Sequence, residues 1–162
     1  MVGESLWNLG AISVSDTMPL STMYRGEREN QTGKICTFGN YCNDSIERNI
    51  IWIGKIGLIY PSDYAYASTD ASCATDIYGT DSTCNINNWL HPSDKNYWTI
   101  PPVSNSGSAA IVWNVAYIHQ MYGSGVRYAQ SVRPSLYLKS NVTFVGEGNG
   151  TEESPYILGI NE

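Results

Sequence analysis

The chain has 162 residues, 15% of them charged, and carries a formal net charge of -6. This length fits a single domain over residues 1–162 that can bury a core without a metal ion or a partner. Because the sequence has no basic stripe, nucleic acid is not expected as a partner.

The sequence shows neither a membrane span nor a signal peptide. Its longest apolar stretch, residues 50–53, ends at Gly54, far short of the about 20 residues that cross a bilayer. Residues 1–20 contain Glu4 and Asp16 and no cationic segment followed by an apolar core. We therefore expect either a cytoplasmic protein or one whose targeting segment has been removed.

The aromatic composition favours an extracellular protein. Twelve Tyr and five Trp accompany only two Phe, so most aromatic rings carry a polar group. Combined with abundant Ser, Gly and Asn, this composition is typical of recognition surfaces, although many secreted bacterial domains share it without such a role.

The four cysteines fall into two close pairs within polar stretches. Cys36 and Cys42 form the first pair, and Cys73 and Cys84 the second. Two local disulfides are the economical connectivity among the three that four cysteines allow. Free thiols are one alternative, and a zinc site is another, which the lack of a C-x-x-C or H-x-x-x-H spacing disfavours. The disulfide interpretation implies an oxidising compartment.

The first half of the chain yields few clear elements. Residues 1–49 are predicted to be irregular, because their apolar positions are too sparse to indicate helix or strand. Residues 50–60 are predicted to be the central strand, since β-branched and aromatic residues crowd them. Pro61 ends this strand, and a short helix capped by Ser62 or Asp63 follows it.

The second half contains the remaining strand signals. Residues 109–115 form an apolar run, and residues 131–139 alternate, which predicts a half-buried strand with Leu136 facing the core. A turn is predicted at residues 123–125, and a strand, turn and strand at residues 142–158. With no long amphipathic helix and no repeat, the predicted class is α+β: a single loop-rich domain with a mostly antiparallel sheet and a sheet-rich core at 50–162.

Several motifs, in a fixed order, resemble a known family. They are WIGKIGLIYPSDYAYA (52–67), Cys73 and Cys84, NWL (88–90), WTIP (98–101), VRPSLYLKS (132–140), and GNGT with PY (148–156). They resemble the C-terminal domain of prepilin-like surface proteins of gut Firmicutes, which are similar to type IV pilins and pseudopilins. Residues 24–33, with Glu27 and Arg28, resemble an upstream element of the same proteins.

This resemblance implies an extracellular, cell-surface domain that acts in adhesion or filament assembly. Its expected partners are other pilin or surface-protein subunits, or a ligand on a host or bacterial surface. Members of the family carry an N-terminal leader and hydrophobic helix, so the full-length protein is expected to be membrane-anchored by a helix that precedes these residues.

The Val-Arg-Pro motif at residues 132–134 is also similar to a wider group of C-type-lectin-like domains. That group includes receptor-binding variable proteins diversified by retroelements and relatives of the formylglycine-generating enzymes. It implies a C-type-lectin-like fold and, as an alternative function, a receptor- or ligand-binding variable protein.

No set of residues points to catalysis, so the chain is not expected to be an enzyme. His91 or His119 could act as a general base, but the sequence has no G-x-S-x-G motif that would supply a nucleophile. No cysteine follows Cys84, so the thiol chemistry of the formylglycine-generating enzymes is not expected either. The glycine-rich residues 146–150 superficially resemble a phosphate-binding loop. Acidic residues surround them, and Pro155 prevents the helix whose N-terminus would bind the anion, so phosphate binding is not expected there. No cofactor is expected; calcium stays an alternative, because one loop contains Asp70, Asp76, Asp81, Asn85 and Asn87.

Residues 116–130 are the predicted ligand-binding segment, next to a loop at residues 104–108. The candidate residues are Tyr117, His119, Gln120, Tyr122, Arg127 and Tyr128. Inward packing of the two tyrosines Tyr117 and Tyr122 is the alternative.

Arg133 and three tryptophans also have two interpretations each. Arg133 is expected to fix the fold through a backbone carbonyl or a carboxylate rather than to bind a ligand. Trp89, Trp98 and Trp113 are expected to be core anchors rather than ligand platforms.

Overall fold

The structure, a computed structural model, describes residues 1–10, 20–29, 51–70, 73, 84, 86–92, 94–103, 111–117, 121–151 and 153–161. These residues form short strands and two helices. The strands are β1 (Ser5–Asn8), β2 (Ile51–Gly54), β3 (Gly57–Leu58), β4 (Tyr97–Pro102), β5 (Ile111–Val115), β6 (Met121–Gly125), β7 (Ser131–Val132), β8 (Pro134–Ser135), β9 (Val142–Phe144) and β10 (Leu158–Ile160). The helices are α1 (Leu20–Glu29) and α2 (Pro61–Tyr66).

A four-stranded sheet with the order β6-β5-β4-β7 is the largest sheet of the described residues. Its first three strands are antiparallel neighbours, and β7 runs parallel to β4. Tyr97, Trp113, Val115 and Met121 of this sheet pack against apolar side chains of both helices, so the core lies between the helices and one face of the sheet.

Three two-stranded pairs surround this core: β1 with β2, β3 with β8, and β9 with β10, all antiparallel. The prediction of a sheet-rich α+β domain with mostly antiparallel strands is therefore confirmed. Among the described residues, neither helix has the length and hydrophobicity needed to cross a membrane.

Two regular elements lie within residues 1–49, where the sequence indicated neither helix nor strand. β1 pairs with β2, and α1 buries Leu20, Met23 and Glu27, which are spaced three and four residues apart along one helix face. The apolar pattern did not reveal α1 because its third buried residue is a carboxylic acid.

The prediction of one central strand at residues 50–60 is wrong. Gly54 ends β2, and β3 begins at Gly57 with a different partner. The Trp7 indole lies at this break: its Nε1 donates to the Gly54 carbonyl at 3.0 Å, and a Cβ on Gly57 would lie 2.5 Å from its ring. β2 is consequently peripheral, and its Ile53 is 64% exposed.

The prediction of a half-buried strand at residues 131–139 is also wrong. β7 and β8 have two residues each and belong to different sheets. Leu136 is 42% exposed rather than buried. The chain changes sheets at Arg133, and Pro134 has no N–H with which to continue a ladder. Among the described strands, residues 50–60 and 131–139 pair through the short β3–β8 contact.

The predictions of a short helix after residue 60, of a strand at residues 109–115 and of a C-terminal hairpin agree better with the structure. The predicted short helix is present as α2, but Ser62 and Asp63 do not cap it: the helix begins at Pro61 with Tyr60 as its N-cap, and both residues lie in its first turn. The Asp63 side chain instead accepts a hydrogen bond from the Tyr60 N–H at 2.9 Å. β5 lies within the predicted strand at residues 109–115. β9 and β10 form the predicted C-terminal hairpin, whose connection places Gly146 and Gly150 at positive φ angles of 130° and 81°.

The predicted turn at residues 123–125 is wrong, because these residues form the end of β6. Gly123 allows close packing there: a Cβ would lie 2.7 Å from Ile111 Cγ2 and 2.9 Å from Val103 Cγ2. The turn follows immediately, and the Tyr128 N–H donates to the Gly125 carbonyl at 3.0 Å.

The Cys73–Cys84 disulfide is confirmed, with a Cα–Cα distance of 5.5 Å. The predicted Cys36–Cys42 disulfide lies outside the described residues. The same applies to Asp76, Asp81 and Asn85 of the calcium alternative. Within the described residues, no three His, Cys, Asp or Glu side chains cluster as metal ligands would.

Candidate functional site

Two of the predicted ligand-binding residues, Tyr117 and Tyr122, lie at the end of the four-stranded sheet where β5 passes to β6. Tyr117 and Tyr122 are both exposed, and Asn96 joins them: its Oδ1 accepts from the Tyr117 N–H at 3.1 Å, and its Nδ2 donates to the Tyr122 hydroxyl at 3.2 Å. The structure therefore does not support inward packing of these tyrosines. His119 and Gln120 lie outside the described residues.

Arg127 and Tyr128 form a separate pair on the turn after β6. The Arg127 Nη2 donates to the Tyr128 hydroxyl at 2.9 Å. A shallow cavity of about 400 Å³ beside Tyr117 is lined by Lys95, Asn96, Tyr117, Ala129, Gln130 and Ser131. We call these residues, together with Tyr122, Arg127 and Tyr128, the sheet-end surface. Arg127 and Tyr128 adjoin Gly125, at the end of β6 opposite to Tyr122, so this surface extends along the sheet rather than enclosing one space.

A second cavity of about 380 Å³ has a more concentrated chemistry. α1 contributes Tyr24 and Arg28, α2 contributes Asp63 and Tyr66, and later segments contribute Trp89 and Tyr137. We call this cavity, whose lining also includes Ile59, Ala67, Leu90 and Ser135, the aromatic groove.

Four aromatic rings of the groove reach solvent. Trp89 is 73% exposed, and Tyr24, Tyr66 and Tyr137 are each exposed by more than two fifths. Tyr66 meets the ring of Tyr24 edge to face at 5.9 Å. No hydrogen bond joins the three phenol hydroxyls or the Trp89 indole N–H to another described residue. These groups remain available for a ligand.

The expectation that Trp89 is a core anchor is therefore wrong, while Trp113 is buried as predicted and Trp98 is half-buried. The loop that contains Trp89 is held by hydrogen bonds of the neighbouring residues. Burial of the Trp89 ring is therefore not needed to position it. The buried Asn88 donates to the Tyr64 carbonyl at 2.7 Å and accepts from the Leu90 N–H at 2.9 Å. A rigid loop thus holds an exposed indole.

Arg133 also holds this loop, in the structural role expected of it. Its Nη1 donates to the Leu90 carbonyl at 3.0 Å, and its guanidinium lies 4.6 Å from the centre of the Tyr97 ring. The Tyr97 hydroxyl donates to the same carbonyl at 2.7 Å. One backbone oxygen next to Trp89 therefore receives two side-chain donors.

A cluster of charged and polar groups lies where α1 meets α2, and two of its members, Arg28 and Asp63, line the groove; we call this cluster the floor of the groove. Glu27 is completely buried, and its carboxyl oxygens accept hydrogen bonds from the Ser62 N–H at 3.1 Å and from the Ser62 hydroxyl. Arg28 lies between Glu27 and Asp63: one Nη is 3.2 Å from Glu27, and the other pairs with Asp63. The guanidinium also lies 3.9 Å from the centre of the Tyr24 ring.

Burial decides the charge state of this floor. Loss of solvation raises the pKa of the Glu27 carboxyl to about 8, although the Ser62 hydrogen bonds and Arg28 act in the opposite direction. Burial also opposes the charged form of Arg28, but Asp63 and Glu27 outweigh it and raise the Arg28 pKa. Burial therefore favours the protonated form of Glu27, while Arg28 is held in its charged form beside Asp63.

This arrangement suits binding. Glu27 has no exposed surface from which to exchange a proton with a ligand. Asp63 and Arg28 are partly exposed, at 30% and 21%, and each is already held by its partner. A ligand would meet fixed hydrogen-bonding groups between exposed rings, which is the composition of specific small-ligand sites.

Sequence reasoning missed the aromatic groove as a site. Tyr24 and Arg28 lie four residues apart in the sequence, which would have placed them on one face had α1 been predicted. No sequence signal brings Trp89 and Tyr137 to that face, because they reach it through long-range packing.

Comparison with family models, curated proteins and solved structures finds no match to this chain.

Proposed function

We propose that this chain is a non-catalytic extracellular domain of a bacterial surface protein, pilin-like or adhesin-like, that binds a surface ligand through the aromatic groove. The observation that carries this proposal is the groove itself: four exposed rings from four separate segments around the Arg28–Asp63 pair. Exposed aromatic groups held on a rigid scaffold are costly unless they serve recognition.

The Cys73–Cys84 disulfide supports an oxidising, extracellular location. The resemblance of residues 52–158 to prepilin-like surface proteins supports attachment to the cell surface, through an anchoring helix outside this sequence. We also propose a C-type-lectin-like arrangement of the fold; the parallel contact of β7 with β4 and the short peripheral strand pairs are compatible with it.

Other pilin or surface-protein subunits are a second proposed class of partner. The β9–β10 hairpin exposes Phe144, Tyr156, Ile157 and Ile160, and among the described residues it pairs with no other strand. Such a surface suits subunit contacts within a filament.

Binding to an array of host glycans and host surface proteins would test the groove as the recognition site. We expect signals for the wild type that fall in a Trp89→Ala, Tyr66→Ala variant. The matched control is a Tyr122→Ala, Arg127→Ala, Tyr128→Ala variant of the sheet-end surface, which should keep them. All three proteins must melt at similar temperatures.

The sheet-end surface is the alternative, and it corresponds to the receptor-binding variable protein considered above. Its support is the Asn96 link between Tyr117 and Tyr122 and the cavity beside them. Loss of array signals in the sheet-end variant alone would transfer the function to this surface and refute the groove proposal.

A further inference from the structure

The exposed rings of the aromatic groove set the shape of what it can hold. Trp89 offers most of its indole, whereas one face of Tyr24 is occupied by Arg28. Flat apolar faces with polar edges pack well against rings that are apolar on their faces and polar at their rims. A sugar ring has this form, with axial C–H groups on its faces and hydroxyls around its edge.

The charges of the groove argue for a neutral ligand. Arg28 and Asp63 are the charged residues of its described lining, and they form a salt bridge with each other, so their opposite charges compensate. An anionic group would meet Asp63, and a cationic group would meet Arg28, so neither would gain a net opposite charge. An aromatic cage for a quaternary ammonium group is disfavoured for the same reason.

The hydrogen-bonding capacity of the groove separates a saccharide from a proline-rich peptide, the other ligand that aromatic grooves accept. Proline residues have no N–H, so such a peptide would cover the partly exposed Asp63 carboxylate without giving it a donor. A hydroxyl group both donates and accepts. Neighbouring hydroxyls can therefore donate to Asp63 and accept from Arg28 or from the phenol groups.

The size of the groove limits the ligand. Its volume of about 380 Å³ is near the lower end of the range for ligand pockets, roughly 300–1,000 Å³. A short segment of an oligosaccharide fits this volume, with the remainder of the chain in solvent.

We propose that the aromatic groove binds a neutral saccharide, with one sugar ring against Trp89 and its hydroxyls on Asp63 and Arg28. This inference rests on the proposed function and specifies the chemical class of its ligand. Because side chains supply the polar contacts, binding should persist in a chelator.

Isothermal titration in buffer with EDTA tests the proposal. The probes are a panel of neutral oligosaccharides containing hexoses and N-acetylhexosamines, a sialylated oligosaccharide, and a proline-rich peptide. We expect a neutral member of the panel to bind and Trp89→Ala to weaken it about tenfold or more. Trp52→Ala is the matched control, because Trp52 is an exposed tryptophan outside the groove; it should leave the affinity unchanged.

Asp63→Asn separates hydrogen bonding from simple apolar contact. It should weaken binding of the saccharide several-fold, and Tyr66→Ala provides a second variant if the loss of the Arg28 partner lowers stability. The proposal would be overturned by an equal affinity of the wild type and the groove variants Trp89→Ala, Asp63→Asn and Tyr66→Ala, by a requirement for a metal ion, or by binding of the peptide but no saccharide.

Failure of this inference is distinguishable from failure of the proposed function. If array signals depend on Trp89 and Tyr66 but come only from proteins, the groove remains a binding site and the saccharide class is wrong. If no array signal depends on the groove, both proposals are wrong.

Discussion

The side chain of Glu27 links the helices α1 and α2. A buried ion pair often gains less from attraction than it loses in solvation, whereas a protonated acid keeps its hydrogen bonds at lower cost. The Glu27 carboxyl bonds both the backbone and the hydroxyl of Ser62, so it ties α1 to the first turn of α2. The charged groups near it are Arg28 on its own helix and Asp63 on α2.

The raised pKa of Glu27 gives the fold a pH dependence with a definite sign. Between the ordinary value of 4.5 and about 8, the folded protein holds a proton that the unfolded chain releases. The contribution of protonated Glu27 to the free energy of unfolding is therefore fully present below pH 4.5 and is lost as the pH rises through about 8.

We expect the melting temperature of the wild type to fall between pH 6 and pH 9, and Glu27→Gln to reduce this slope. Thermal unfolding of both proteins across this range is the measurement. Parallel curves for the two proteins would show that Glu27 does not titrate in this range.

Arg133 permits a second prediction for a single residue. Arg133→Ala removes a donor to the Leu90 carbonyl and the cation over Tyr97, so it should lower the free energy of unfolding by about 1–3 kcal/mol. Arg127→Ala is the matched control: its guanidinium also meets a tyrosine, but at the surface, and it should cost less than about 0.5 kcal/mol. Urea unfolding compares the two; equal losses would contradict the structural role of Arg133.

Among the elements, those governed by neighbouring residues could be predicted and those governed by distant ones could not. The start of α2 and the β9–β10 hairpin depend on Pro61, Asp63 and nearby glycines. Trp7, whose indole bonds a carbonyl 47 residues away, lies at the division of residues 50–60. A local alternation of apolar residues contains no information about such a partner.

Two glycines of β6 allow a test of how tightly this strand packs against its neighbours. Gly123→Ala should lower the free energy of unfolding by about 1–3 kcal/mol, because the new Cβ would meet two stiff β-branched side chains. In the same strand Gly125→Ala meets nothing closer than 3.6 Å and should cost under about 1 kcal/mol. Chemical denaturation of the two variants gives the comparison, and a harmless Gly123→Ala would mean that Ile111 and Val103 can move aside.

Across the whole molecule, the sequence predicted the class but not the site. The sheet-rich class and the Cys73–Cys84 disulfide were evident from composition and spacing, whereas the two longest predicted strands and the turn at residues 123–125 were wrong. The aromatic groove was not, because Tyr24, Tyr66, Trp89 and Tyr137 are each unremarkable in their own segments. Only the packing of both helices against one face of the sheet brings these rings together.

The C-terminal hairpin should differ from the core in its dynamics. β9 and β10 pair only with each other among the described strands, and a hairpin without further packing is marginally stable in water. We expect its amide hydrogens to exchange well before those of β4 and β5. Hydrogen exchange followed by mass spectrometry would show this, and equal protection would indicate that a partner, such as a second copy, covers the hairpin.

The contact between the first residues and residues 138–139 has a consequence for synthesis. Val2 bridges to Leu138, and the Met1 carbonyl accepts from the Lys139 N–H at 3.0 Å. At about 5–20 residues per second, translation separates these partners by roughly 10–30 s. During that time Trp7 and Val2 lack their contacts with Tyr137 and Leu138, although β2, the strand that pairs with β1, has already been synthesised. A chain stalled before residue 134 should therefore stay sensitive to protease near β1, and the early segment is among the last to be secured.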